Sequence, residues 1–233
     1  ISYLYYDMIK IGFMGDVMLG RLVDRYLPKD NHDYPLGDVL PKLKNLDLKV
    51  INLETTLTAS QEKIPKVFNF KAAPDRANIL KTAGIDIANL ANNHILDFSE
   101  TGLKETIKVL DEEKIKTIGA GLNYEEATQP KFISIKGTKI AFLGITDNEP
   151  GWLAAKNKPG VFYMEFNKKT AQKLREKIKE IKKKCDLLVL SLHWGPNMAE
   201  HPSQDFRDFA HAVIDSGTDI IHGHSAHIFQ GIE

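Results

Sequence analysis

The feature that most constrains the fold is an alternation of short apolar runs with amphipathic segments along the chain. Apolar runs typical of buried strands cover residues 10–14, 50–53, 85–90, 139–145, 187–192 and 220–221. Apolar residues at helical spacing predict helices over 99–113, with Ser99 as N-cap, and over 170–184 and 203–216. A turn at 136–137 predicts that 139–145 is the second arm of a hairpin. Alternation of this kind favours an α/β domain with largely parallel strands.

Composition supports a folded chain and excludes some partners. The chain has 233 residues, of which 42% are hydrophobic and 27% are charged, and this balance excludes disorder as its main character. Its formal net charge is zero, so we expect no nucleic-acid partner. Cys185 is the single cysteine of the sequence, which excludes an intrachain disulfide.

Segments that would address the chain to a membrane are not evident in the sequence. No run approaches 18 apolar residues, and the first residues lack the basic-then-apolar pattern of a leader. The chain stops at Glu233 without a closing element, and we expect it to be truncated at its C-terminal end.

Potential metal ligands follow one predicted strand after another. They are Asp16, Glu54, Asn93 with the adjacent His94, His193, and His224 with His227 beyond it. Ligand sites in α/β sheets form beyond the carboxyl ends of the strands, so we expect these side chains to converge. Their mixture of oxygen and imidazole donors suits divalent zinc, manganese or iron.

Each ligand taken alone has an ordinary structural explanation. Asp16 could cap a helix, Glu54 could be a loop charge, and His193 could be a core histidine. Arg21 could be a surface helix charge. The repeated coincidence at strand ends favours the metal site over these alternatives.

Five short motifs, in order along the chain, resemble one protein family. They are Gly-Asp-Val-Met-Leu at 15–19, Asn-Leu-Glu at 52–54, Ala-Asn-Asn-His at 91–94, His-Trp-Gly at 193–195 and Gly-His-Ser-Ala-His at 223–227. The set resembles the bacterial capsule synthesis CapA family, also called the poly-γ-glutamate biosynthesis (PgsA-like) proteins, over residues 9–233. This family is similar to the calcineurin-like metallophosphoesterases. The resemblance implies one domain over 1–233 with a four-layer α-β-β-α sandwich fold.

The resemblance also implies two divalent metal ions and a role for each ligand. Asp16 and His227 would bind the first ion, Glu54 would bridge, and the second ion would take the remaining ligands Asn93, His193 and His224. His94 would act as the general acid, and Asp97 would orient its imidazole.

Two positions depart from the pattern of the wider superfamily. Met18 stands where most metallophosphoesterases have histidine, so the first ion loses a ligand. Two residues, rather than one, separate His224 from His227. Both departures resemble the capsule family.

The reaction implied is hydrolysis of a phosphoester by a metal-dependent, phosphoesterase-like enzyme. A water shared by two cations would attack phosphorus, and His94 would protonate the departing alkoxide. Arg21, Asn52 and Lys71 are the candidate substrate-binding residues.

Two other functions use the same ligands. One is non-hydrolytic binding or scaffolding in poly-γ-glutamate or capsule assembly, and the other is metal-dependent cleavage or transfer at a glutamyl amide bond. The partners expected are an anionic substrate, either a phosphoester or polyglutamate carboxylates, and a membrane-bound polymer synthase complex. The resemblance implies a membrane-associated, outward-facing protein, although the sequence shows no anchor.

Overall fold

The computed structural model describes residues 8–233. Its strands are β1 Ile11–Val17, β2 Leu48–Leu53, β3 Thr56–Leu57, β4 Lys71–Ala72, β5 Ile87–Asn89, β6 Lys116–Ile118, β7 Ala120–Gly121, β8 Lys131–Ile135, β9 Thr138–Thr146, β10 Gly160–Val161, β11 Leu187–His193 and β12 Ile220–His224. Its α-helices are α1 Leu22–Tyr26, α2 Leu40–Lys44, α3 Ala77–Ala83, α4 Ser99–Glu112, α5 Tyr124–Thr128, α6 Lys168–Lys182 and α7 Gln204–Asp215. Short 3-10 helices lie at Gly37–Val39, Pro74–Arg76 and Pro150–Trp152.

Two four-stranded sheets carry the architecture. The first has the order β1-β2-β5-β6 with every neighbouring pair parallel. The second has the order β12-β11-β9-β8, parallel except for the β8–β9 hairpin. The predicted α/β class and the predicted hairpin are therefore confirmed.

Three hydrophobic cores define the layers. The central core joins the facing sides of the two sheets, through residues such as Val50 and Ile87 of the first and Phe142 and Val189 of the second. One outer core packs α3 and α4 on the first sheet, and the other packs α6 and α7 on the second. This arrangement confirms the four-layer α-β-β-α sandwich.

The inner face of the sheets changes character along the strands. In β2, Val50 belongs to the central core while Ile51 packs toward the helices, as the two-residue period of a strand requires. Asn52 is next on the inner face, and in β11 His193 follows Val189 by two full periods. The space between the sheets is therefore apolar at one end and polar at the carboxyl ends of the strands.

The helix starts are set by local side-chain bonds. Asn167 caps α6 through a reciprocal capping box with Thr170, which places the start two residues before the predicted one. Ser203, the first residue of the predicted helix, is instead the cap of α7, and its side chain accepts from the Phe206 N–H. The expectation that Ser99 caps α4 was wrong: Phe98 is the cap residue, and the Ser99 hydroxyl donates to Glu62 from the first helical position.

Between residues 8 and 233, no helix is both long enough and apolar enough to cross a bilayer.

Candidate metal centre

The carboxyl ends of both sheets bring the candidate ligands together. Three of these ligands belong to the strands themselves rather than to the loops that follow. Asp16 is the second-last residue of β1, and His193 and His224 are the last residues of β11 and β12. The β1–β2 register shifts between Phe13 and Asp16, and this irregularity accompanies the turn of the Asp16 carboxylate toward the second sheet.

One group of ligands is buried between the sheets and is called here the buried group: Asp16, His193 and His224. The Nδ1 atoms of His193 and His224 lie 3.0 Å apart. Asp16 Oδ1 is 3.7 Å from His193 Nδ1 and 3.8 Å from His224 Nδ1. Ligand atoms around a tetrahedral zinc, with bonds of about 2.0–2.1 Å, lie about 3.3 Å apart, so this triangle fits one ion.

The histidines of the buried group are held in the form that binds metals. Burial lowers the pKa of His193 to about 3, and lowers the pKa of His224 well below its ordinary value. A neutral imidazole keeps a lone pair free for a cation. Ser191 and His222 stand behind His224: the Ser191 hydroxyl lies 3.0 Å from His224 Nε2 and 3.2 Å from His222 Nδ1.

Asn93 reaches the buried group from the loop after β5. Its Oδ1 is 3.1 Å from His193 Nε2, which joins the loop of the first sheet to a strand of the second. Asn92 fixes this loop, since its amide donates to Leu53 O and its Oδ1 accepts from the His94 N–H.

A second group, called the open group, consists of Asp16, Glu54 and His227. The chain turns after β12 through positive φ at Ser225 (97°) and His227 (55°). This turn returns His227 Nδ1 to 3.1 Å from Asp16 Oδ2, which also accepts from the Ser225 N–H. Burial, and then the negative charge of Asp16, raise the pKa of Glu54 to about 8. Two carboxylates that repel each other in this way fit a site for a cation.

Asp16 is the residue that both groups share. The family resemblance gives the bridging position to Glu54, which the structure places in the open group. The donor sets of both groups contain carboxylate and imidazole, and both are suited to divalent ions.

His94 and Asp97 form a pair beside the open group. The imidazole Nδ1 is 2.6 Å from the Asp97 carboxylate, and Nε2 is 3.8 Å from Glu54 Oε1. Asp97 is fully buried and also accepts from the backbone N–H of Phe70, whose ring stacks on the imidazole at 3.8 Å between centroids. These contacts fix the ring and turn Nε2 toward Glu54.

A cavity of about 550 Å³ opens over the open group. Its lining mixes ligands with apolar side chains: Asp16, Met18, Glu54, Lys66, Val67, Phe68, Phe70, Asn93, His94, Asn197 and His227. Met18 therefore faces the cavity close to the shared carboxylate, where the superfamily pattern has a histidine.

The structure separates the three candidate substrate-binding residues. Asn52 is fully buried, and its side-chain amide donates to Asp16 Oδ1 at 2.7 Å, so it positions a ligand rather than meeting a substrate. Lys71 lies outside the cavity lining, because its ammonium donates to Ser60 O and lies over the Phe98 ring. Arg21 is exposed, with its guanidinium over the rings of Phe68 and Phe70 at the cavity.

The sequence-based interpretation missed Lys66. Its ammonium donates to Asp97 Oδ1 at 3.1 Å and to the Asn93 carbonyl, and pairs with Glu149 at 3.2 Å. It thereby ties the loop before β4 to the loop of Asn93 and to the segment near Trp152, whose ring it also faces. Lys66 lies in an irregular segment without periodicity, so no sequence signal pointed to it.

Asn89 was also missed, although its strand position carried a signal. Its amide donates to Asn52 Oδ1 at 2.8 Å, and both residues occupy the inner face of their strands. A Cβ on Gly144 of the facing sheet would overlap with Asn89 Oδ1, so only glycine permits this approach of the two sheets. In β5, apolar Ile87 and then Asn89 lie on the same inner face of the strand. This pattern could have identified Asn89 as a residue that holds Asn52 in place.

Comparisons with known proteins agree with the motifs. A capsule biosynthesis protein CapA of Bacillus anthracis is 33% identical over 97% of this chain and 56% of its own length. A PGA biosynthesis protein CapA of Bacillus subtilis (strain 168) is 29% identical over 97% of this chain and 60% of its own length. The chain thus spans less than two thirds of these relatives.

A solved structure shares the fold. A hypothetical protein from Thermus thermophilus superposes with a TM-score of 0.53 and 18% identity, over 94% of this chain and 69% of that chain. The family described as bacterial capsule synthesis protein PGA_cap matches residues 10–233. The chain belongs to this bacterial capsule synthesis family.

Proposed function

We propose that this chain is a metal-dependent hydrolase of phosphoesters. The observation that carries the proposal is the junction of two ligand groups at Asp16, with an oriented imidazole beside them in an open cavity. Two groups of metal ligands that share one carboxylate residue, with an acid–base side chain beside them, suit the in-line displacement of an alkoxide from phosphorus.

The buried group would hold one ion, and the open group would hold the other. The resemblance also gives Asn93 to the first of these ions, but Asn93 Oδ1 lies 3.1 Å from Nε2 of His193, whereas Nδ1 of that ring faces Asp16, so Asn93 would orient the imidazole rather than bind the ion. Divalent ions bound there would lower the pKa of a coordinated water and offset negative charge on the phosphoryl oxygens. The geometry favours Asp16 as the shared ligand, because its two oxygens face different groups: Oδ1 faces His193 and Oδ2 faces His227.

His94 would donate the proton that the leaving alkoxide requires. Asp97 accepts from Nδ1–H, so Nε2 is the nitrogen that faces the cavity. The stacked Phe70 ring and the Lys66–Asp97 pair prevent the imidazole from turning away. General acid catalysis of this kind contributes about 10²–10⁴ in rate.

The test is hydrolysis of chromogenic phosphodiesters and phosphomonoesters by manganese-loaded protein, with its metal content measured in parallel. We expect His94→Ala to retain its metal and to lose about 10²–10⁴-fold in turnover. His211→Ala is the matched control, since His211 lies on the exposed face of α7 and bonds to Glu233. A fully active His94→Ala variant would remove the acid role.

A second candidate function is supported by the names of the relatives. The Bacillus subtilis relative is called a PGA biosynthesis protein, and a metal pair binds carboxylates as well as phosphates. In this alternative the domain binds an anionic polymer, or cleaves or transfers a glutamyl amide, within capsule assembly. Metal-loaded protein that binds a phosphonate but hydrolyses no phosphoester would favour it.

A further inference from the structure

We propose that Arg21 forms a second anion-binding subsite beside the metal centre, so that the preferred substrate carries two anionic groups. This inference rests on the proposed function, because the first anionic group is the one held at the metal ligands. The second group would be a carboxylate or phosphate bound by the guanidinium of Arg21.

The guanidinium of Arg21 is free to bind such a group. Within residues 8–233 its side chain has neither a hydrogen-bond acceptor nor an ion-pair partner. Asp24, three residues along the chain, is occupied by Arg76 Nε at 2.7 Å. Arg76 is a contrasting case: it is buried and also donates to the carbonyls of Asp24, Leu27 and Pro28, so its role is structural.

Two aromatic rings hold the free guanidinium at the cavity. Its central carbon lies 5.4 Å from the Phe68 centroid and 5.7 Å from the Phe70 centroid, and both rings line the cavity. The Phe70 centroid also lies 3.8 Å from the centroid of the His94 ring, on which it stacks. Phe70 therefore connects the Arg21 guanidinium to the imidazole through two short contacts. Stacking restrains the planar group while leaving its N–H edges available.

The backbone at Arg21 is held in an unusual conformation. Its φ of 57° and ψ of −127° lie outside the regions that L-residues commonly occupy. The preceding Gly20 packs so closely on β4 that a Cβ there would lie 2.7 Å from Lys71 O. The turn is thus fixed against the first sheet, and strained residues of this kind concentrate at functional sites.

Lys66, the lysine that lines the cavity, is not available to bind a second anionic group. The Lys66 ammonium already meets Asp97, Glu149 and the Asn93 carbonyl, which account for its three donors. The carboxylates of Asp16 and Glu54 would repel an anion unless metal ions offset their charge. Among the described residues, Arg21 therefore offers an unpaired guanidinium at the rim, in a fork that matches a carboxylate or phosphate.

The test compares anion probes on manganese-loaded protein by isothermal titration calorimetry. Ethylphosphonate carries one anionic group, 3-phosphonopropionate adds a carboxylate, and propane-1,3-diphosphonate adds a second phosphonate. We expect at least one of the two-group probes to bind about tenfold or more tightly than ethylphosphonate, from charge-assisted bonds to the guanidinium. The preferred two-group probe identifies the chemistry of the second group.

The variants separate this subsite from the metal centre. Arg21→Gln should abolish the advantage of the two-group probe and leave ethylphosphonate binding unchanged, while Arg21→Lys should retain part of it. Arg25→Gln is the matched control, because Arg25 is an exposed arginine of α1 whose guanidinium lies over Tyr26 instead. It should behave as the wild type.

Two results would overturn the inference: equal binding of one-group and two-group probes by the wild type, or an advantage that survives in Arg21→Gln. Failure of the proposed function looks different. In that case the manganese-loaded wild type hydrolyses no phosphoester, whether or not Arg21 is present. Binding of the two-group probes that still depends on Arg21 would then support the subsite alone, and no binding of any probe would overturn both proposals.

Discussion

The buried group and the open group share Asp16 but differ in how the fold holds them. His193 and His224 are strand residues of the second sheet, and they are only 1% and 6% exposed. His227 lies on a turn of positive φ, and its side chain is 39% exposed. The strands fix the ligands of one group before any ion binds, whereas the other group depends on a loop and lacks a histidine at Met18. We therefore expect tight binding at the buried group and weaker binding at the open group.

The strongest way to break this comparison is to remove a strand ligand. We expect His224→Ala to lose one equivalent of metal, and to lose about 10³-fold in phosphoester turnover through lost charge stabilisation. Metal content, turnover and circular dichroism would be measured together, with His211→Ala again as control. Unchanged metal stoichiometry in folded His224→Ala would contradict the assignment of this ligand.

A histidine at position 18 should strengthen metal binding at the open group alone, and so reduce the difference between the two groups. Met18 faces the cavity two residues after Asp16, so Met18→His offers an imidazole to the open group. We expect the weaker manganese affinity to rise by about tenfold and the stronger to stay the same, since even supporting contacts change metal affinity about 10–100-fold. A titration of metal-free protein with manganese measures both. A change confined to the tighter affinity would contradict the placement of Met18.

The buried histidines of the second sheet and the Glu54 carboxyl of the open group should give opposite pH dependences to the stability of the metal-free protein. Burial lowers the pKa of His193 to about 3 and of His222 to about 4, so the unfolded state binds more protons below pH 6.5. Stability then falls with acidification, by on the order of 1 kcal/mol per pH unit for each histidine. The pKa of Glu54 is raised to about 8, so the folded state keeps a proton that the unfolded state loses, and stability falls as pH rises toward 8.

Melting temperatures at pH 5, 6.5 and 8 in chelator should therefore show a maximum near pH 6.5. Glu54→Gln should remove the fall above pH 6.5 and steepen the fall below it, because Glu54 opposes the histidines at every pH above its unfolded pKa of 4.5. Added manganese should also remove the alkaline fall, because the cation takes the place of the proton between Glu54 and Asp16. A profile that Glu54→Gln leaves unchanged would show that the repulsion in the open group does not control stability.

The parts of the molecule set by periodicity were predictable, and those set by single contacts were not. Alternating strands and helices predicted the α/β class, and the family resemblance implied the four layers. Ligands at strand ends predicted which edge of the sheets carries the site. The helix start at Ser99 was predicted, but its role as N-cap was not borne out, because Phe98 precedes the helix as the cap residue and Ser99 is already the first helical residue. Lys71 was predicted to bind substrate, but its ammonium donates a hydrogen bond to the Ser60 carbonyl and lies outside the cavity lining.

The division of ligands between the two groups lay beyond the sequence for a related reason. Which carboxylate is shared depends on the register shift in β1 and on the turn after β12, and neither has a periodic signal. Asn52 shows the same limit. Its motif pointed to substrate, but its position on the inner face of β2 buried its amide against Asp16.

The most direct test of the account is the metal content of manganese-loaded wild type, Asp16→Asn and Glu54→Gln, measured by plasma mass spectrometry after removal of free metal. The account expects two ions in the wild type, neither in Asp16→Asn, and only the buried-group ion in Glu54→Gln. Loss of both ions in Glu54→Gln, with one retained in Asp16→Asn, would transfer the shared position to Glu54. Two ions retained in Asp16→Asn would contradict the claim that the two ligand groups meet at this carboxylate.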